Sequence, residues 1–419
     1  MKITMLAFGT RGDVQQFIAL GLGLKKIGYT ITIAAPNEFQ EFVETYGLNY
    51  SSLHYDINKD AARLVDDRLG EKKKSSLTRL KEQKNEWPEL ITTWLDKSYE
   101  ACQGCDFLLF TGLAMVYGVH LAEKLGVPSI PVYVAPATPT SAIPLFVFPD
   151  LKLGGWYNRL SYTFYNKSEW LLGGKAINKW RQKHGLRAVN DKDIFTMKHA
   201  AEQPTIYGFS SAVLPKPSDW GEHIYVTGYF FLEQEGTWEP PQALVNFLEA
   251  GSAPIYIGFG SLNFMNNAQT VQLILEAVKR TGQRAVLSTS WQGIQEMDVP
   301  EDVCVVDSAP HQWLFPRVKA VVHHGGVATT AVGLRAGRPT TIVPIGLDNP
   351  FWARQMHRIG AGPKPIAAKK LTADVLEQSI QEMVNNPMIQ ERAHAIGEQI
   401  SNEDGVANAA TIIHQIFAS

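Results

Sequence analysis

Two glycine turns and one carboxylate are the places where this chain could do chemistry. The run His323-His324-Gly325-Gly326-Val327-Ala328-Thr329-Thr330 follows an apolar stretch and opens a helical pattern. Paired glycines let the main chain turn sharply and come close to a ligand. Amides at the start of the next helix point outward with partial positive charge, which suits a phosphate. Thr329 and Thr330 add hydroxyl donors, and His324 adds an imidazole donor. The same run also reads as a plain glycine turn with a threonine cap and a packed histidine. A second turn, Gly258-Phe259-Gly260-Ser261, follows another apolar stretch and is placed to approach the same ligand. It is not a nicotinamide-cofactor fingerprint, because Asn263 stands where the third glycine would fall. Neither turn ends in the Gly-Lys-Ser/Thr of a P-loop.

The carboxylate is Asp13, in Gly9-Thr10-Arg11-Gly12-Asp13. Two readings stand. In an apolar site burial raises its pKa and makes it a usable base; as a cap of the following helix its pKa is depressed. Arg11 either lines the same site or clamps the turn. Asp191-Lys192-Asp193 fits a metal-holding Asp-x-Asp pair literally, but in a polar stretch it reads as solvated loop. Cys102-Gln103-Gly104-Cys105 has no second pair to complete a zinc site, so two packed thiols are expected.

These turns need strands and helices to hold them. Lys2–Phe8 reads as a strand, Val14 to about Ile27 as a helix with apolar residues at helical spacing, and Thr30–Ala34 as a second strand. Phe107–Phe110, Ala114–Leu125 and Ser129–Val134 repeat the unit. The second half does the same, with strands at Ile255–Phe259, Arg284–Leu287, Val303–Val306, Ala320–Val322 and Thr340–Val343. Helices are expected near Ala268–Thr281 and Val327–Ala336. Apolar strands alternating with helices imply an α/β fold, two doubly wound parallel sheets of Rossmann type facing a cleft. Ligands of such sheets sit at the carboxyl ends of the strands, where all of these turns lie. Proline-rich stretches at Val213–Trp220 and Trp238–Pro241 mark a linker. The expected division is 1–212, a linker 213–241, a second domain 242–400, and a terminal helix 401–419 that packs back toward the first domain.

Ser308 to Gln355, SAPHQWLFPRVKAVVHHGGVATTAVGLRAGRPTTIVPIGLDNPFWARQ, resembles the donor-binding signature of nucleotide-sugar-dependent glycosyltransferases with the GT-B fold. The resemblance is strongest to the sterol glucosyltransferase and antibiotic-aglycone glycosyltransferase branch of the UDP-glycosyltransferase superfamily. TRGDVQQFIALGLGL (Thr10 to Leu24), VLPKPSDW (Val213 to Trp220) and YIGFGSL (Tyr256 to Leu262) are similar too. The resemblance implies an inverting, metal-independent hexosyltransferase. By the resemblance its donor is a UDP- or dTDP-sugar, with glucose the sugar the branch implies, and it needs no cofactor. On that pattern His324 contacts the diphosphate, Gly326, Val327, Ala328 and Thr329 cradle it, and Gly260 and Ser261 supply a second phosphate contact. The Ala309-Pro310-His311 backbone holds the nucleobase, and Asp348 and Asn349 hold the sugar hydroxyls. Glutamine is more usual at the place of Asn349, and Val332 stands where plant-type signatures carry a ribose-binding acid. Adjacent strand residues face opposite ways, so His324 goes to the ligand and His323 to a packed role. Asp13 becomes the general base, in the N-terminal, acceptor-binding domain. A nucleotide-sugar-binding accessory protein without transfer, or a GT-B-fold nucleotide-sugar isomerase, are the alternatives.

The acceptor side is expected in the aromatic stretch Pro136–Trp180, with Arg11, Gly12, Phe146 and Phe148 as candidates. These aromatics form either core or a pocket for a flat apolar molecule such as a sterol, polyketide or phenolic. Segment 67–84 holds seven basic and three acidic residues. It reads as a solvated loop or as a weak contact with an anionic membrane surface. Leu125 to Pro149 carries no charge, but its prolines at 128, 131, 136, 139, 144 and 149 rule out a membrane span. The whole chain has 419 residues, 45% hydrophobic and 19% charged, with a net charge of −2, so a soluble globular protein with no field drawing it to nucleic acid is expected. Three cysteines and no leader pattern point to a reducing, cytoplasmic setting.

Overall fold

The computed structural model describes residues 1–54, 76–199, 203–233, 238–260, 267–289, 293–294 and 297–418. Strand β1 (Lys2–Phe8) is buried from Ile3 onward, as a central strand of a parallel sheet must be. Its side chains alternate between two cores: Ile3, Met5 and Ala7 enter one, Leu6 and Phe8 the other. β2 (Thr30–Ala35) and β4 (Phe107–Gly112) flank it, both parallel. With β3 (Asn49–Ser52), β5 (Ser129–Tyr133), β6 (Thr205–Tyr207) and β7 (Ile224–Val226) they form a sheet of order β3-β2-β1-β4-β5-β6-β7.

Helix α1 (Arg11–Lys26) covers one face through Val14, Phe17, Ile18 and Leu24. It starts three residues before its apolar periodicity does, because Thr10 and Asp13 cap it. On the opposite face lie α2 (Ser76–Ala101) and α3 (Gly155–Lys183), with Trp94 and Trp180 in the core beneath them. Arg181 is fully buried there. Its guanidinium donates both terminal nitrogens to Glu123 at 2.7 and 2.9 Å and bonds the His120 ring at 3.0 Å. Cys102 is buried in the same core, and Cys105 is half-buried.

A second five-stranded sheet has the order β10-β9-β8-β11-β12, all parallel. Its strands are β8 (Ile255–Gly258), β9 (Ala285–Ser288), β10 (Val303–Val306), β11 (Ala320–His323) and β12 (Thr340–Ile342). The chain thus divides into two compact units, Met1–Phe209 with Lys216–Leu232 and Asp404–Ser419, and Ser210–Pro215 with Glu233–Glu403. The proline-rich stretch 213–241 is shared between them: Lys216–Leu232 supplies β7 to the first sheet. The terminal helix α4 (Gly405–Ala418) belongs to the first unit. It lies so close to α1 that a Cβ on Gly23 would meet Val406 Cγ1 at 2.5 Å, and its Phe417 stacks on Phe107 at 3.7 Å. No helix among the described residues is long and apolar enough to cross a membrane.

Candidate functional site

In the second sheet the chain order reverses between β8 and β11, and the two strands pair with His323 opposite Gly258. The carboxyl ends of these neighbours form the crevice in which open α/β sheets bind ligands. Both glycine turns leave from this point, and they converge on His324. A Cβ on Gly326 would stand 2.8 Å from its Nε2, and one on Gly260 3.1 Å from its Cε1. The imidazole is therefore held between two bare stretches of main chain.

His324 Nδ1 is buried with no hydrogen-bond partner among the described residues, and burial pushes the ring pKa down to about 4. At neutral pH the ring is uncharged, with one donor and one acceptor nitrogen. His323 faces the other way, fully buried, and its Nδ1 accepts the Gly325 amide at 3.0 Å. That bond places the ring proton on Nε2 and leaves His323 shaping the turn. Burial, reinforced by His324 and His311 nearby, holds its pKa well below the usual imidazole value.

Gly325 has φ +97°, and a Cβ there would meet Ile342 Cγ2 at 2.6 Å and Asn349 Cβ at 3.1 Å, so only glycine fits. The same closeness brings the Asp348-Asn349 turn beside the glycine pair. Helix α5 (Val327–Arg335) begins with Gly326 as its cap, and no side chain caps it. The Thr330 amide and hydroxyl both bond back to Gly326 O, at 2.9 and 3.0 Å. The amides of Val327, Ala328 and Thr329 are the first-turn donors a helix leaves without an internal acceptor. They can receive an anion.

The other expected residues fall as follows. Asp348 Oδ2 accepts the Trp352 indole N–H at 3.0 Å, and Asn349 Oδ1 lies 3.4 Å from the Gly346 amide. His311 Nε2 bonds the Tyr256 hydroxyl at 3.1 Å and its ring stacks on Phe315. Tyr256 was not visible as a support for His311, since nothing in their spacing links them. Ser261 lies outside the described residues, as do residues 67–75 of the basic segment.

In the first unit, Asp13 combines both readings of its sequence. Its Oδ2 accepts the Thr10 amide at 2.8 Å and the Thr10 hydroxyl at 3.2 Å, which caps α1. Burial nevertheless outweighs these bonds and raises its pKa above the ordinary carboxylate value. The carboxylate folds back over Gly9, where a Cβ would stand 2.2 Å from Oδ2. Gly9 thus leaves the room that the Asp13 carboxylate fills, a constraint that sequence reasoning passed over, its only signal being a small residue at the end of β1. Arg11 stacks its guanidinium on Phe42, 4.3 Å from the ring centroid, and Gly12 lies between it and Asp13 in the first turn of α1. Asp191 and Asp193 open a helix, Asp191–His199, and Asp193 accepts the Asn190 amide at 3.0 Å in a helix-start motif. Phe146 is half-buried, and Phe148 packs edge-on against Phe164 at 6.0 Å. The aromatic stretch divides: Tyr162 is core, whereas Trp156 and Phe164 are exposed.

Residues 3–144 match the glycosyltransferase family 28 N-terminal domain, and residues 272–414 match the C-terminal domain of erythromycin biosynthesis protein CIII-like proteins. Over 98% of its length the chain is 37% identical to a sterol 3-beta-glucosyltransferase of Arabidopsis thaliana, and over 99% it is 35% identical to one of Eremothecium gossypii. The crystal structure of the calicheamicin glycosyltransferase CalG4 superposes with a TM-score of 0.74 at 16% identity, covering 99% of this chain and 98% of that one. The chain has the GT-B fold. In sequence and fold it is similar to the sterol and antibiotic-aglycone glycosyltransferases. It spans 64% of the length of the plant relative and 34% of that of the fungal one.

Proposed function

We propose that this GT-B chain is an inverting, metal-independent glycosyltransferase that moves a hexose, glucose in the first instance, from a UDP- or dTDP-sugar to a sterol hydroxyl. The observation that carries the donor half is the His324 imidazole lodged between Gly260 and Gly326 at the β8–β11 reversal, beside the open amides of α5. When the sugar–phosphate bond breaks, negative charge builds on the leaving diphosphate. Donors already aimed at that point stabilise it without reorganising. Val327, Ala328 and Thr329 supply amides, and neutral His324 supplies a ring N–H. Asp348 and Asn349 hold sugar hydroxyls, and the backbone at His311 meets the base.

The acceptor oxygen attacks the anomeric carbon through an oxocarbenium-like transition state and must lose its proton as it does so. Asp13 takes that proton. Its raised pKa makes it a better acceptor than an ordinary aspartate, and the Thr10 amide and hydroxyl hold Oδ2 in place. The sterol follows the two relatives named above.

The test is a mass-spectrometric screen of UDP-glucose and dTDP-sugars against sterols, flavonoids and macrolides, with Asp13→Ala in parallel. A hexosylated sterol is expected, and it should form equally in EDTA. Asp13→Ala should lose at least about a hundredfold in rate, as for removal of a general base, and keep its affinity for UDP. Full transfer by Asp13→Ala would remove it as the base. UDP binding without hexosylation of any acceptor would favour the accessory-protein reading.

A further inference from the structure

Helix α3 has two faces with different fates. Tyr162, Ala176, Ile177 and Trp180 are buried in the first unit. The other face carries a stripe of exposed positions at helical spacing, Trp156, Leu160, Phe164, Lys167, Leu171 and Lys175, flanked by exposed Arg159, Thr163 and Lys179. Its four apolar members are 66%, 52%, 62% and 77% exposed, which is unusual for side chains of this size grouped together. The stripe runs about 28 Å along the helix. The loop that feeds it adds two more large exposed apolar residues, Leu151 and Leu153, on either side of Lys152.

Charge gives the stripe a sign. Lys152, Lys167 and Lys175 are exposed, and no acidic residue stands in the stripe. Of the neighbouring acids, Glu169 pairs with Lys198, Asp219 pairs with Arg159 beside the stripe, and Asp150, next to Leu151, is half-buried. An apolar ridge of Trp, Leu and Phe with lysines interleaved is the pattern of a helix lying in the interface of an anionic bilayer. The rings and leucines sit at the acyl boundary, while the lysine stems reach the headgroups. A protein partner of matching charge would leave the lysines paired with acids at a dry surface, whereas lipid headgroups satisfy them in water.

We propose that the α3 stripe, with Leu151–Leu153, docks this protein on an anionic membrane surface. This goes beyond the transfer reaction and does not depend on it. The surface differs from the basic segment 67–84 considered in the sequence.

The experiment is co-sedimentation of the full chain with sterol-free vesicles of phosphatidylcholine alone and of phosphatidylcholine with phosphatidylserine. With no sterol or sugar donor present, failure here is separate from failure of the transfer reading. The chain is expected to sediment with the serine-containing vesicles and to be released by high salt. Trp156→Gln and Phe164→Ser should each lower partitioning about tenfold, as for loss of one buried apolar side chain. Lys167→Glu should weaken binding several-fold on anionic vesicles only. These side chains are exposed, so thermal unfolding and UDP affinity should be unchanged in all three variants. A chain that stays in the supernatant with both vesicle types overturns the proposal. So does co-sedimentation that Trp156→Gln/Phe164→Ser leaves intact. Self-association abolished by that double substitution, with no vesicle binding, assigns the stripe to a second copy and equally overturns it.

Discussion

Replacing Gly9 by alanine tests the base without touching it. The added Cβ would stand 2.2 Å from Asp13 Oδ2, 2.5 Å from Cγ and 3.0 Å from Cβ. The carboxylate must therefore move by about 1 Å or more to reach ordinary van der Waals separation. Moving it breaks the bonds from the Thr10 amide and hydroxyl. Hydrogen bonds to a charged group contribute about 1.5–3 kcal/mol each. Part of that returns as the displaced carboxylate regains water, so the net loss of stability should be about 1–2 kcal/mol. The catalytic loss should be larger, because misplacing a reacting group by about 1 Å costs on the order of a hundredfold. The assay is kcat for sterol hexosylation, with UDP affinity by calorimetry and urea unfolding alongside. The pair Gly9→Ala/Asp13→Ala should be no slower than Asp13→Ala alone, since both changes act through one carboxylate. Gly9→Ala activity within about threefold of wild type would refute the reasoning, because catalysis would then tolerate a displaced Asp13. Additive losses in the double variant would refute it too.

Three further outcomes follow from the same geometry. The acid limb of kcat/KM should lie above the ordinary aspartate range, and Thr10→Val should move it higher, since the Thr10 hydroxyl bond lowers the Asp13 pKa against burial; a limb that Thr10→Val leaves unmoved would contradict this. His324→Ala should weaken UDP binding about tenfold or more by calorimetry, as for one hydrogen bond to a charged group. His323→Ala should instead lower stability by orphaning the Gly325 amide; equal UDP affinity in wild type and His324→Ala would remove His324 from the site. Folding stability, read as the urea midpoint, should be level above about pH 6.5 and fall as pH drops toward 4. His120, His323 and His324 are held neutral by burial, with folded pKa values of about 3 for His120 and about 4 for His324. Across that window the unfolded chain binds more protons, so acid favours unfolding. Asp13 and Glu403, with raised pKa values, work in the opposite sense, while Asp219, held low by its hydrogen bonds to Thr140, Ser141 and Arg159, acts with the histidines; a midpoint unchanged from pH 7 to 5 would contradict the burial of these rings.

Much of the fold was legible because both sheets are parallel and buried. β1, β2, β4, β8 and β11 are apolar runs bounded by small-residue turns, and little else in the chain looks like them. β6 and β7, three residues each, were not legible; they take their place from pairing with β5 and with each other rather than from any pattern of their own. β7 lies within the proline-rich stretch that reads as a linker. α3 was hidden for a different reason. Apolar residues occur on both of its faces, one packed and one exposed, so no single periodic stripe marks it. At the site, strand alternation was enough to separate His323 from His324. The state of Asp13 was not readable, because cap and base use the same residue at the same position, and only the balance of burial against the Thr10 bonds decides its pKa.

Diphosphate recognition by His324 and the start of α5 underlies transfer, and a structure of the chain with bound UDP measures it directly. The expected result is a diphosphate oxygen about 3 Å from the His324 ring nitrogen and from the amides of Val327 and Ala328. A diphosphate bound away from His324 and from that helix start would contradict it.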